Sequence, residues 1–314
     1  MLTQLLSSCR IAGLKQIAWV DANTLVATAD NSLVWLRFQN SSVYEIQRSP
    51  HGGDWASLFS LDNHNQVVLH LRNGPYSYLL RLINSDGCVG PSCVVPLSWI
   101  HQVAVDPHGS FLSAFGSLLI TDRAGYIQPT ESCLIDIGSG DLQQLPYSAI
   151  TIQEDMLYFV KDRTVYRRKL GFQRTAYTFD STFTDDTLEV VASDKVLLMA
   201  PKDDLVWLAT ERGLFAADPM NVSLVHRWDN PISSVRVCGN MFVATGVGPV
   251  ALLYDIRTHV TSCVMSSSKS QIVGFDILQS TQPGMSYAEG VLILVSEKGL
   301  IDCFSWYSSS SQLP

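Results

Sequence analysis

The sequence predicts an all-β fold, a seven-bladed β-propeller. Three observations carry this. Short apolar strands recur along all 314 residues, with Gly, Asn, Asp and Pro in the gaps between them. No stretch of about twelve residues keeps the i, i+3, i+4, i+7 spacing of an amphipathic helix. The strands fall into sets of about four, and the third strands end at a mean step of roughly 44 residues, the length of a four-stranded blade.

The first set reads Gln16–Val20, Thr24–Ala29, Ser32–Phe38 and Val43–Ile46, with turns at Asp21-Ala22-Asn23 and Asp30-Asn31. The second reads Trp55–Leu61, Gln66–Leu71 and Tyr76–Ile83. Asp86-Gly87 and Gly90-Pro91 crowd its end and leave the fourth strand open. The third runs from Ile100–Val105 through the turn Asp106-Pro107-His108-Gly109 to Phe111–Ala114, Ser117–Thr121, Cys133–Ile137 and Leu142–Leu145. The fourth reads Ala149–Gln153, Met156–Val160, Val165–Lys169 and Thr175–Phe179. The fifth takes Leu188–Val191 with Val196–Ala200, then Val206–Thr210, Leu214–Ala217 and Ser223–Arg227.

The sixth set, Ile232–Cys238, Met241–Gly246, Val250–Asp255 and Val260–Val264, has the clearest pattern. Val235 and Val237 alternate with Ser234 and Arg236, and tight turns divide the strands. The seventh offers Ile272–Leu278, Val291–Ser296 and Ile301–Ser305 but no fourth strand, because Ser308–Pro314 is polar. Residues 4–11 are expected to supply it, so that the first and last strands pair and close an open edge. A single propeller domain over residues 1–314 follows. The alternative is two smaller β domains divided near Leu145 or Asp186.

Charged residues make up only 16% of the chain, against roughly 25% in an average soluble protein. Hydrophobic residues are 46% and mean hydropathy is +0.15, which suits much buried strand. No run approaches the ~18 apolar residues of a membrane span. The opening MLTQLLSSCRIAGLKQ is too polar for a signal-peptide core, so the chain reads as soluble and intracellular, cytoplasmic or nuclear. A net charge of −8 lacks the basic field of a nucleic-acid binder.

Of the seven cysteines, Cys9, Cys133, Cys238, Cys263 and Cys303 sit in or beside apolar strands and read as buried thiols. Cys88 and Cys93 form an isolated C-x4-C pair, a poor zinc signature. No metal or cofactor is expected. The chain has no G-x-S-x-G elbow, no P-loop and no H-E-x-x-H, and its histidines are scattered. Asp185-Asp186 and Asp203-Asp204 read as solvated turn tips. The sequence thus predicts no enzyme.

Three stretches resemble the WD40-repeat family. Pro231–Thr258 carries the alternating strand, the small-residue strand Val243-Ala244-Thr245-Gly246, and Leu253-Tyr254-Asp255-Ile256-Arg257, where Tyr254-Asp255 stands in for the family's Trp-Asp. His101–Gly109 resembles a first strand with its Pro-x-Gly turn, and Cys133–Gly140 a third strand with the turn after it. No set carries the full Gly-His to Trp-Asp signature. The resemblance implies a non-catalytic platform that binds other proteins within a multi-subunit complex. It does not call for a homo-oligomer.

Several residues stand out as candidate contacts. Trp99 follows Pro96-Leu97-Ser98, and Trp228 sits in the turn Arg227-Trp228-Asp229-Asn230-Pro231. Exposed tryptophans anchor protein partners well. Lys161, Arg163, Arg167, Arg168 and Arg174 form the densest basic stretch, suited to an acidic partner or to phosphate. Arg167-Arg168 with Gly171 faintly resembles the Phe-Arg-Arg-Gly motif of phosphoinositide-binding propellers, and this gives a membrane-recruited alternative. Strand geometry nevertheless aims those two arginines at opposite faces. Asp255-Ile256-Arg257 resembles the Asp-x-Arg of propellers that act as substrate adaptors for cullin-type ubiquitin ligases, a further alternative.

Overall fold

Alternating and β-branched residues become strands wherever two apolar faces need covering. A computed structural model describes residues 2–61, 66–72, 78–84, 92–106, 108–119, 127–154, 156–161, 164–169, 186–189, 196–202, 204–217, 222–280 and 287–309. Strand β1 (Leu2–Arg10) precedes the first complete sheet, which is β2 (Leu14–Trp19), β3 (Thr24–Ala29), β4 (Ser32–Gln39) and β5 (Ser42–Pro50). The second sheet is β6 (Trp55–Leu61), β7 (Gln66–Arg72), β8 (Tyr78–Asn84) and β9 (Cys93–Val95). The third is β10 (Trp99–Val105), β11 (Phe111–Leu119), β12 (Ile127–Asp136) and β13 (Leu142–Leu145).

The fourth sheet is β14 (Ala149–Gln153), β15 (Met156–Lys161), β16 (Thr164–Lys169) and β17 (Asp186–Glu189). The fifth is β18 (Val196–Lys202), β19 (Leu205–Thr210), β20 (Gly213–Ala217) and β21 (Val222–Arg227). The sixth is β22 (Ile232–Cys238), β23 (Met241–Gly246), β24 (Val250–Asp255) and β25 (Val260–Met265). The seventh joins β26 (Ile272–Ser280), β27 (Tyr287–Ser296) and β28 (Leu300–Ser309) to β1 in the order β1-β28-β27-β26. These seven four-stranded antiparallel sheets are the blades of a β-propeller.

The closing pair has the expected partners. β1 runs antiparallel to β28 from Leu2 opposite Tyr307 to Arg10 opposite Leu300, with a bulge between Leu5 and Ser7. Elsewhere the structure corrects the strand assignments. Phe111–Leu119 is one strand where two were expected. The outer strand of the fourth blade is Asp186–Glu189, and Thr175–Phe179 lies outside the described residues. Leu188 therefore leaves the fifth blade and pairs opposite Val165. Cys93–Val95 fills the open place in the second blade. Cys263 is exposed rather than buried, because it lies on an outer strand, while Cys93 is buried and Cys88 lies outside the described residues.

The chain divides into two compact units. One contains Met1–Gly74, Leu82–Val89 and Ile232–Pro314; the other contains Pro75–Arg81 and Gly90–Pro231. Neither Leu145 nor Asp186 is a boundary between them. In the first unit the core lies between blade faces, as where Ile17, Leu25 and Val34 meet Ile293, Val295 and Ile301. Blades six and seven meet in the same way through Val243, Leu253, Phe275 and Trp306. In the second unit Phe115, Leu134, Ile150, Leu157, Phe159 and Met199 form one core across three blades. Burying residues of this size contributes about 1.5–3 kcal/mol each.

Candidate interaction surface

Trp99 is held from both sides by buried neighbours. Leu97 is fully buried and Ile100 nearly so, yet the Trp99 side chain is 48% exposed. A bulge between Ile100 and Gln102 turns the start of β10, and Trp99 pairs opposite Ser117. Gly116 makes this possible, since a Cβ there would run into the Trp99 carbonyl oxygen. A large apolar ring is thus offered to solvent from a fixed piece of backbone. Val94, on the short strand β9 in the same unit, is 64% exposed.

Trp228 is different. It is only 5% exposed, its indole N–H donates to the Thr210 carbonyl at 3.1 Å, and its ring meets His226 edge-on at 4.9 Å. The expected exposed anchor is therefore a sealed turn. Its backbone N–H donates to Arg212 O at 3.0 Å, which draws the ring inward over the β19–β20 turn.

Asp255 is also buried, at 1% exposure. One of its carboxylate oxygens accepts the Arg257 N–H at 2.9 Å, so the side chain shapes the turn after β24. Ile256 is buried and its N–H donates to Asn240 O at 3.0 Å, while the Tyr254 hydroxyl and His259 Nδ1 lie 2.8 Å apart. Of the Asp255-Ile256-Arg257 run, only Arg257 faces solvent.

The basic stretch separates as strand geometry requires. Arg167 is exposed, whereas Arg168 is half-buried, with its guanidinium 5.9 Å from the centre of the Phe159 ring. Arg167 stands opposite Tyr158 on one side and Asp186 on the other. Burial pushes the Tyr158 phenol above its ordinary pKa, against the pull of the Arg167 charge. Lys161 is exposed; Arg163 and Arg174 lie outside the described residues. Consecutive arginines on opposite faces do not form one phosphate pocket, and β17 brings Asp186 and Glu189 beside the basic strand. Among the described residues, no three metal-ligating side chains come together.

No protein-family model matches the sequence, and no curated protein matches it. Solved structures do. Saccharomyces cerevisiae Sqt1 superposes with a TM-score of 0.59 at 10% identity, over 98% of this chain and 100% of its own. The Neurospora crassa Pan2 WD40 domain gives 0.57 at 11% identity, over 96% and 95% of the two chains. The computationally designed Ika8 protein gives 0.56 at 12% identity, over 95% and 98%. The fold is that of a WD40-type propeller.

In this WD40-type propeller the first strand of each blade is the inner one, and sequence reasoning missed what those strands carry. In the second unit, Gln102 on β10 donates to Met199 O at 2.7 Å and accepts from Met199 N at 2.8 Å, and it also donates to Thr151 Oγ1 at 3.3 Å. In the first unit, Gln16 accepts from Leu58 N at 3.0 Å, and Arg236 donates to Leu58 O at 3.3 Å over the Phe59 ring. Asp276 is buried; its carboxylate accepts from Trp19 N at 2.7 Å and from Ser60 Oγ at 3.2 Å. Burial raises its pKa, while the Arg236 charge pulls it down. The signal was a polar residue inside several first strands. That residue ties one inner strand to another.

Proposed function

We propose that this chain is a non-catalytic protein-interaction platform, a subunit of an intracellular complex, and that Trp99 is an anchor for its partner. The half-exposed indole on fixed backbone carries the reading. Tryptophan dominates interface hot spots, and backbone that is already held in place loses little entropy on binding. The WD40-type fold adds an analogy of architecture, which supports the class of function and no particular partner. The membrane-recruited alternative is weakened by the divergence of Arg167 and Arg168. The ligase-adaptor alternative rests on Arg257, the solvent-facing member of its motif.

The test uses the tagged full chain, purified from its native cells at moderate salt and compared with Trp99→Ala and Arg257→Glu by quantitative mass spectrometry. Wild type is expected to bring down a stoichiometric partner set. Trp99→Ala should lower its recovery about tenfold or more at unchanged Tm, in the range of a hot-spot loss. A wild-type chain that purifies alone would sink the platform reading. Loss of ligase components with Arg257→Glu would replace it with the adaptor reading.

A further inference from the structure

Asp302, on β28, is fully buried in the first unit. Its carboxylate is held by neutral donors. Ser8 Oγ donates to one oxygen at 2.6 Å; Ser266 Oγ at 2.9 Å and Ser267 N at 2.8 Å donate to the other. Among the described residues, neither of the two ion pairs includes it. Ser8 comes from β1, and Ser266 and Ser267 from the turn between β25 and β26. One carboxylate thus ties the closing strand, its partner strand and a turn at a single point. Ser267 is exposed, and its hydroxyl lies 3.4 Å from that of Ser8.

We propose that Ser267 is a phosphorylation site and that its modification releases β1 from β28. A serine kinase would move the γ-phosphoryl group of ATP onto Ser267 Oγ: the bond to the ADP oxygen breaks, the Ser267 O–P bond forms, and the hydroxyl proton passes to the kinase's base. The product carries close to two negative charges and three strong acceptor oxygens. Ser8 has one hydroxyl proton. After the transfer that proton has two acceptors, the buried carboxylate and the phosphoryl oxygens. A buried carboxylate that loses a donor and gains a like-charged neighbour is strongly disfavoured. The remedy open to the fold is to move β1 away and let water reach Asp302. Ser267 is the modifiable member of the cluster because it is exposed in a turn; Ser8, also exposed, lies within the paired strand β1, and Ser266 is 1% exposed. This does not depend on Trp99.

The experiment encodes phosphoserine at position 267 in the full chain and follows hydrogen exchange. Exchange of the Leu2–Arg10 amides should rise about tenfold or more while Met241–Gly246 stays unchanged. Phosphatase treatment of the same sample should restore protection, and Ser267→Ala should behave as wild type. Asp302→Asn in the phosphoprotein should restore part of the protection, since it removes the repulsion. Unchanged exchange of β1 in the phosphoprotein overturns the release. Phosphopeptide mapping of the protein from its native cells tests the modification itself. Phosphate on Ser267 supports it, and recovery of that peptide only in unmodified form, with phosphatases inhibited, overturns it.

Discussion

Asp276 is a carboxyl whose burial raises its pKa above the ordinary 3.8, with Arg236 opposing the shift. A carboxyl raised in the folded state keeps its proton where the unfolded chain has lost it. Its contribution therefore favours folding below the ordinary value and fades as pH climbs through the raised one. Asp276→Asn keeps the shape and removes the titration. The stability of wild type relative to Asp276→Asn should fall as pH rises from about 3.8 toward neutrality, measured by urea unfolding at a series of pH values. A rising difference would show that Arg236 outweighs burial. Gly116 is the other decisive single residue. Gly116→Ala forces backbone apart at Trp99 and should cost about 1–3 kcal/mol in denaturant melts, with a shift in Trp99 fluorescence. The role of Gly116 was not legible in the sequence, because its constraint comes from a strand sixteen residues earlier folding back across it. Trp228 misled for a related reason. Its polar neighbours Arg227, Asp229 and Asn230 suggested an open turn, while its ring is sealed by a bond to Thr210.

Among elements, the inner and middle strands were the readable ones. Met241–Gly246 and Thr24–Ala29 are buried almost throughout, so their apolar runs were plain. The outer strands Cys93–Val95 and Asp186–Glu189 were not. They are three and four residues long, too short for a period to show. Asp186 also looked like a turn residue, whereas it lies in a strand beside Arg167. β1 was legible by elimination, since the last blade lacked a strand and residues 4–11 had no place in the first, although the strand itself runs from Leu2 to Arg10. Removing residues 2–10 exposes the whole edge of β28, from Leu300 to Tyr307. Such a truncation should self-associate in light scattering at concentrations where the full chain is dispersed. A dispersed, stable truncation would show that β1 is dispensable.

For the whole molecule, packing of apolar blade faces was legible and the links between inner strands were not. Gln16, Gln102, Arg236 and Asp276 are far apart in sequence and meet their partners through the fold alone. The closing contacts span nearly the whole chain: Ser8 and Asp302 are 294 residues apart. A variant with residues 2–10 moved to follow Ser309 through a short linker makes the same pair local. It should match the parent's stability to within about 1 kcal/mol and refold faster in stopped-flow experiments, because long-range loop closure drops out. That distance also sets a timetable on the ribosome. At about 5–20 residues per second, Leu2–Arg10 is made some 15–60 s before its partner strand. Throughout that interval the nascent chain carries a segment whose partner does not yet exist, and with Thr3, Gln4, Ser7, Ser8 and Arg10 among its nine residues it is more polar than an apolar strand such as Met241–Gly246.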